Sequence, residues 1–162
     1  MAGDAGRPAG TGEASEALRQ LEDQGLSRLK EYLDTFSKFE RAIQLIMRRK
    51  YPPEQILEAE GRRCVLSVGG LRFHEVTLYF MVSQLTVKVS PPFEGYDTFV
   101  QAPLSAINEI LARVLSGEKG AFGDVLASGQ GRVVGPHAPH DMMVWESVFD
   151  ELALNIARMR QP

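Results

Sequence analysis

The residues able to do chemistry are few and scattered. Cys64 is the one thiol in a chain of 162 residues, and a thiol beside a histidine base is a nucleophile. It shares the apolar parity of Leu66 and Val68, however, where cysteine behaves as a small hydrophobe. His137, His140 and Asp141 are of metal-ligand type, yet structural zinc wants four ligands and catalytic zinc three plus water. No further ligand cluster adjoins them, and Pro136 and Pro139 mark a loop, so they read as turn and cap residues. His74 beside Glu75 reads as an exposed strand residue. The run Gly129 to Gly135 contains G-x-G but leads into a strand, whereas phosphate loops lead from a strand into a helix. Arg48-Arg49-Lys50 place positive charge at a helix C-terminus, where the dipole is negative. They read as a solvated helix end, with contact to anionic headgroups as the alternative. No catalytic constellation emerges, so the sequence reads as a non-enzyme, with no metal and no cofactor.

The elements that must position these residues follow from periodicity. Residues 1–14 hold Gly3, Gly6, Pro8, Gly10 and Gly12 with almost nothing apolar, the composition of a disordered tail. Leu26, Leu29, Leu33, Phe36, Ile43 and Met47 then step by threes and fours, with Glu40 in the one polar slot; this is an amphipathic helical stripe. Ser37 followed by Glu40 has the spacing of a capping box, which predicts a break near 35–37. Pro52-Pro53 ends that segment and opens a short helix through Ala59. From Cys64 the period falls to two. Cys64, Leu66 and Val68 form one strand, and Val76, Leu78, Phe80 and Val82 a second. Leu85, Val87 and Val89 form a third, and Tyr96 to Gln101 a fourth. Pro103 opens a helix with Gly117 at its C′ position. A short helix through Ala127 and a brief strand from Gly131 to Val134 precede a last helix, for which Asp141 is the expected N-cap. Helices, sheet, helices, strand and helix make an α+β domain. Its parts are a tail over 1–14, a helical segment over 15–60, and the sheet with its C-terminal helices over 61–162.

Composition narrows the partners. Hydrophobic residues make up 44% of the chain and the formal charge is −3, which argues for a real core and against a nucleic-acid partner. No apolar run approaches the ~18 residues of a bilayer span. Met1 to Gly12 lacks the order of a secretory signal, and one cysteine forms no internal disulfide, so a cytoplasmic location is expected. The stripe over 26–47 predicts a helix covering the sheet, with homodimerisation through it as the second reading.

From Cys64 onward the order resembles the sterol-carrier-protein-like lipid-binding family. The stretch that carries this is Leu115-Ser116-Gly117-Glu118, then Ala127-Ser128-Gly129, then Gly135, with Asp97 upstream of the Pro103 helix. The likeness spans roughly residues 40–157. Gln130-Gly131, Pro136-His137 and the early position of Ala121-Phe122 depart from the family pattern. The resemblance implies a mixed, mostly antiparallel sheet of about five strands and an apolar tunnel beneath covering helices. That tunnel would hold a fatty acyl chain, a sterol or another lipid.

The residues support such a tunnel on ordinary hydrophobic grounds. On the strands, Phe80, Leu85, Val87 and Phe99 are the candidates to line it. On the helices they are Leu111, Val114, Leu126, Trp145 and Phe149. The same residues would equally make a filled core. The expected function is therefore non-catalytic binding or transfer of an apolar ligand, and the rival is a protein-interaction or regulatory module with its tunnel filled.

Overall fold

The computed structural model describes residues 10–161. Helices α1 (Gly10–Ser37), α2 (Glu40–Lys50) and α3 (Pro53–Ala59) precede strands β1 (Arg63–Gly69), β2 (Val76–Ser83), β3 (Thr86–Val89) and β4 (Thr98–Pro103). Helices α4 (Leu104–Leu115) and α5 (Ala121–Ala127), strand β5 (Arg132–Val134) and helix α6 (Ala138–Met159) complete the chain. The sheet order is β3-β2-β1-β4-β5. Only the β1–β4 pair is parallel; the other three are antiparallel. The α+β class is as the periodicity predicts, and the mixed five-stranded sheet is as the resemblance implies.

The N-terminal expectations are modified. Of the tail expected over 1–14, residues 1–9 lie outside the described residues, whereas Gly10 to Ala14 are already helical. Adding a turn to an existing long helix is far cheaper than nucleating one, so weak helix formers are carried along. The break falls where expected, between Ser37 and Glu40, but not through a capping box. The Ser37 hydroxyl donates to the carbonyl of Asp34 at 2.6 Å, and α2 has no side-chain cap.

The α4 terminus is the glycine motif in physical form. Gly117 adopts φ +88°, its N–H donates to Val114 O and that of Glu118 to Arg113 O. Both bonds of a Schellman stop are present. An added Cβ on Gly117 would sit 3.1 Å from the Ala157 backbone, so glycine here also lets α6 approach α4.

Period two sorts the sheet residues onto faces. Cys64 stands opposite Phe80 and Thr98, and Leu66 opposite Leu78 and Val100. This face meets the helices. On the far face Val65 stands opposite both Tyr79 and Phe99, and the β3–β4 connection covers it: the Phe93 ring lies 5.1 Å from Tyr79 and the Tyr96 ring 5.5 Å from Phe99. Helical packing divides the core in two. One cluster joins α2, α4, α5 and α6 through Ile43, Met47, Val114, Val125, Val148 and Leu152. The other joins α1 to α4 and the sheet through Leu29, Val68, Ala102, Ile107 and Leu111.

Candidate functional site: an apolar cavity between sheet and helices

Between these two clusters the helices and the sheet fail to close. The gap is a cavity of about 330 Å³. Its floor is the inner sheet face, with Cys64, Leu66, Leu78, Phe80, Val87, Val100 and Ala102. Its roof comes from Leu33 and Phe36 of α1, Ile43 of α2, Ile107, Ile110 and Leu111 of α4, and Phe122 and Leu126 of α5. Met142, Trp145 and Phe149 of α6 close one side.

Aromatic side chains hold that wall. Phe149 packs on Phe36, Phe122 and Trp145 with ring centroids 5.3–5.4 Å apart. Trp145 in turn meets Phe80 edge-on at 5.7 Å. Ring pairs at such distances contribute about 0.5–1.5 kcal/mol each beyond their buried area, so this wall is held by contacts among its own side chains.

Polar groups gather at one end. Ser37, Glu40, Lys88 and Val89 form that rim, where Val89 is 58% exposed and Lys88 Nζ meets Glu40 Oε1 at 2.8 Å. The polar slot in the helical stripe is thus the cavity mouth. Inside, Cys64 is the one group with a titratable proton; burial, with the charge of Asp141, pushes its thiol up to about 12. It stays protonated at neutral pH, and the thiolate is the nucleophilic form.

Six of the nine residues expected to line a tunnel do border the cavity: Phe80, Val87, Leu111, Leu126, Trp145 and Phe149. Three do not. Leu85 occupies the β2–β3 hairpin turn with Gln84, both at positive φ, 66° and 50°, so it breaks the alternation that Val87 resumes. Phe99 belongs to the opposite parity and packs on Tyr96 at the far face of the sheet. Val114 is 1% exposed and lies in the packed cluster under α6. Leu33, Phe36, Leu66, Leu78, Val100 and Ala102 are among the lining residues that were not anticipated. Their signal was the parity shared with Cys64 and Phe80, and the helical stripe itself.

The other candidate chemistry is tied up in structure. Asp141 is not the cap of α6, which begins at Ala138. It lies buried in the first turn, accepting from Arg62 Nη1 at 2.5 Å and from the Thr98 hydroxyl at 2.7 Å. His140 Nδ1 lies 3.0 Å from the same guanidinium. His74 is in the β1–β2 loop and not in a strand; it meets Glu22 at 2.7 Å and Asp23 at 3.4 Å. Glu22 also accepts from the Arg72 and Phe73 amides. Desolvation alone would raise its carboxyl, but the bonds from His74 and the two amides outweigh it and hold the carboxyl below its ordinary range. Among the described residues, no group of three or more His, Cys, Asp and Glu side chains is placed to hold a metal. No described helix is long and apolar enough to cross a membrane.

No family model matches the chain, and no curated protein matches it. Solved structures do. A structure titled UbiJ-SCP2 ubiquinone synthesis protein aligns at TM-score 0.48 and 16% identity, covering 72% of this chain and 93% of its own. Sterol carrier protein 2 like 2 from Aedes aegypti aligns at 0.44 and 16%, covering 72% and 97%. Sterol carrier protein domain 2 of Helicoverpa armigera aligns at 0.43 and 14%, covering 72% and 86%.

Proposed function

We propose that the protein binds an apolar ligand, such as a fatty acyl chain, in this cavity and carries it without chemical change. The observation that supports the reading is the cavity itself, about 330 Å³ walled by apolar side chains. Protein interiors hold few voids larger than a water molecule, and an apolar cavity of about 150 Å³ already suffices to bind benzene. Apolar walls that face a void lack the contacts an apolar occupant would supply, so an occupant stabilises the fold. Burying about ten methylenes contributes roughly 8 kcal/mol before the costs of association. The chain would enter tail first, its polar end remaining near Ser37, Glu40 and Lys88.

The non-catalytic reading rests on Cys64, whose neutral thiol does not attack. The rival reading, an interaction module with a filled interior, has no comparable observation in its favour. Native mass spectrometry of protein purified without detergent is the test. A mass excess matching one lipid per chain, removed by solvent extraction, is the expected result. A bare mass before extraction, with no uptake when fatty acid is added back, would refute the proposal.

A further inference from the structure

The polarity of the cavity runs one way. Its hydroxyl, carboxylate and ammonium groups belong to Ser37, Glu40 and Lys88, at the α1–α2 junction and on β3. From there the floor crosses β2 and β1 to Val100 and Ala102 of β4. At that far end Leu126 of α5 meets Ala102, which is 6% exposed. A Cβ built on Gly131 would lie 3.0 Å from Leu126 Cδ2 and 3.9 Å from Ala102 Cβ, so the backbone ahead of β5 stands directly behind both side chains. A ligand matched to this space has one polar end and one blunt apolar end.

Its length follows from two measures. From β3 to β4 there are three strand spacings, about 14 Å at about 4.8 Å each. An extended hydrocarbon with bonds of about 1.5 Å at about 111° advances about 1.25 Å per carbon, so about 11 carbons span the floor. Volume gives the second measure. Benzene in a cavity of about 150 Å³ takes about 25 Å³ per carbon. At that rate the cavity of about 330 Å³ holds about 13 carbons. The small pocket of about 20 Å³ behind Phe80 and Trp145 adds room for less than one. A sterol, with a rigid fused-ring nucleus and a tail beyond it, exceeds both measures.

We infer that the cavity is a ruler for a single hydrocarbon chain, admitting about 11–13 carbons with Leu126 as the stop, and that it excludes sterols. The inference rests on the ligand-binding reading above and narrows it to one substrate class. Leu126 sets the limit because it is the side chain standing between the apolar end of the cavity and the Gly131 backbone.

The test is displacement of a fluorescent fatty-acid analogue from the full chain by cholesterol and by saturated fatty acids of about 8 to about 18 carbons. Each methylene that enters the cavity strengthens binding about four-fold. Affinity is expected to climb at that rate to about 13 carbons and then level off, because further methylenes stay in water at the mouth. Cholesterol is expected to displace no probe. Leu126→Ala removes three carbons from the end wall and should move the break to about 16 carbons. Ala102→Val adds two and should move it to about 11, which tests the end wall even where Leu126→Ala does not melt cooperatively. An affinity that climbs unbroken to about 18 carbons, displacement by cholesterol, or a break that stays in place in the folded variants overturns the inference and leaves the carrier reading standing. A wild type that binds neither the probe nor any fatty acid refutes the carrier reading and the inference together.

Discussion

Removing Asp141 should cost the protein several kcal/mol of stability. Its carboxylate joins α6 to both central strands, taking hydrogen bonds from Arg62, just ahead of β1, and from Thr98 in β4. The two charged side chains are 17% and 11% exposed, and Thr98 is fully buried. Asp141→Ala leaves the guanidinium with only the His140 ring nitrogen and the threonine hydroxyl with no partner. Breaking a buried pair from one side costs about 3–5 kcal/mol; partial exposure of Arg62 argues for the lower end, and the orphaned hydroxyl adds about 1 kcal/mol. A loss near 4 kcal/mol corresponds, at about 2–4 °C per kcal/mol for a chain of this size, to a drop of about 8–16 °C. Differential scanning calorimetry and urea melts measure it. The apolar pair Arg62→Met/Asp141→Leu is expected to recover most of the loss, because the penalty comes from the stranded charge and not from the missing attraction. A single variant that loses less than about 1 kcal/mol, the worth of a surface pair, would refute the reasoning.

The remaining predictions concern backbone and titration. Gln84 and Leu85 both hold positive φ in the β2–β3 turn, so Gln84→Asn/Leu85→Gly should raise stability by about 1 kcal/mol, scored by melting temperature. Gly117 and Gly129 are both left-handed, at φ +88° and +78°, but only Gly117 has backbone within 3.1 Å of an added Cβ. Gly129→Ala should cost about 1–2 kcal/mol and Gly117→Ala clearly more; equal losses in urea melts would contradict the packing argument. Cys64 has its thiol raised from 9.0 to about 12, so the folded state keeps a proton that the unfolded state gives up. Its contribution is complete below about pH 9 and is lost as pH rises toward 12. Cys64→Ala should therefore flatten the alkaline limb of the stability profile, and Ellman's reagent should react with the wild type only on unfolding.

Much of this architecture was legible because two periods, 3.6 and 2, dominate the chain. The stripe from Leu29 to Met47 fixed the covering helices, and Cys64, Leu66 and Val68 fixed the inner face of the central strand. What escaped was local. Ser83 to Thr86 lacks the Asn-Gly or Asp-Gly signature of a tight hairpin, so Leu85 read as strand although it turns the corner at a cost in backbone strain. Phe99 is as apolar as its neighbour Val100, and composition alone does not say which of two apolar residues faces a cavity and which faces the Phe93 and Tyr96 side of the sheet. Val114 shares the helical stripe of Leu111, but α6 closes over it through the contact that Gly117 permits. Asp141 looked like a cap because caps are the commonest use of Asp near a helix start; its buried partner Arg62 is 79 residues away, and nothing local announces the pair. The Glu40–Lys88 rim was half visible, as the single polar residue in an otherwise apolar stripe.

The central claim is that the gap above Leu66, Val100 and Ala102 is space for a ligand and not a fault in packing. Val100 borders that gap from the inner sheet face, so Val100→Phe places its added ring where the ligand would lie. The decisive measurement is titration of a fluorescent fatty-acid analogue against wild type and Val100→Phe, with melting temperature recorded for both. Saturable binding by the wild type at one probe per chain, with about micromolar affinity, is expected. The variant should lose binding while melting at or above the wild-type temperature, since its ring fills a void. A wild type that takes up no probe, with a variant destabilised by the 1–3 kcal/mol typical of an overpacked core, would contradict the account.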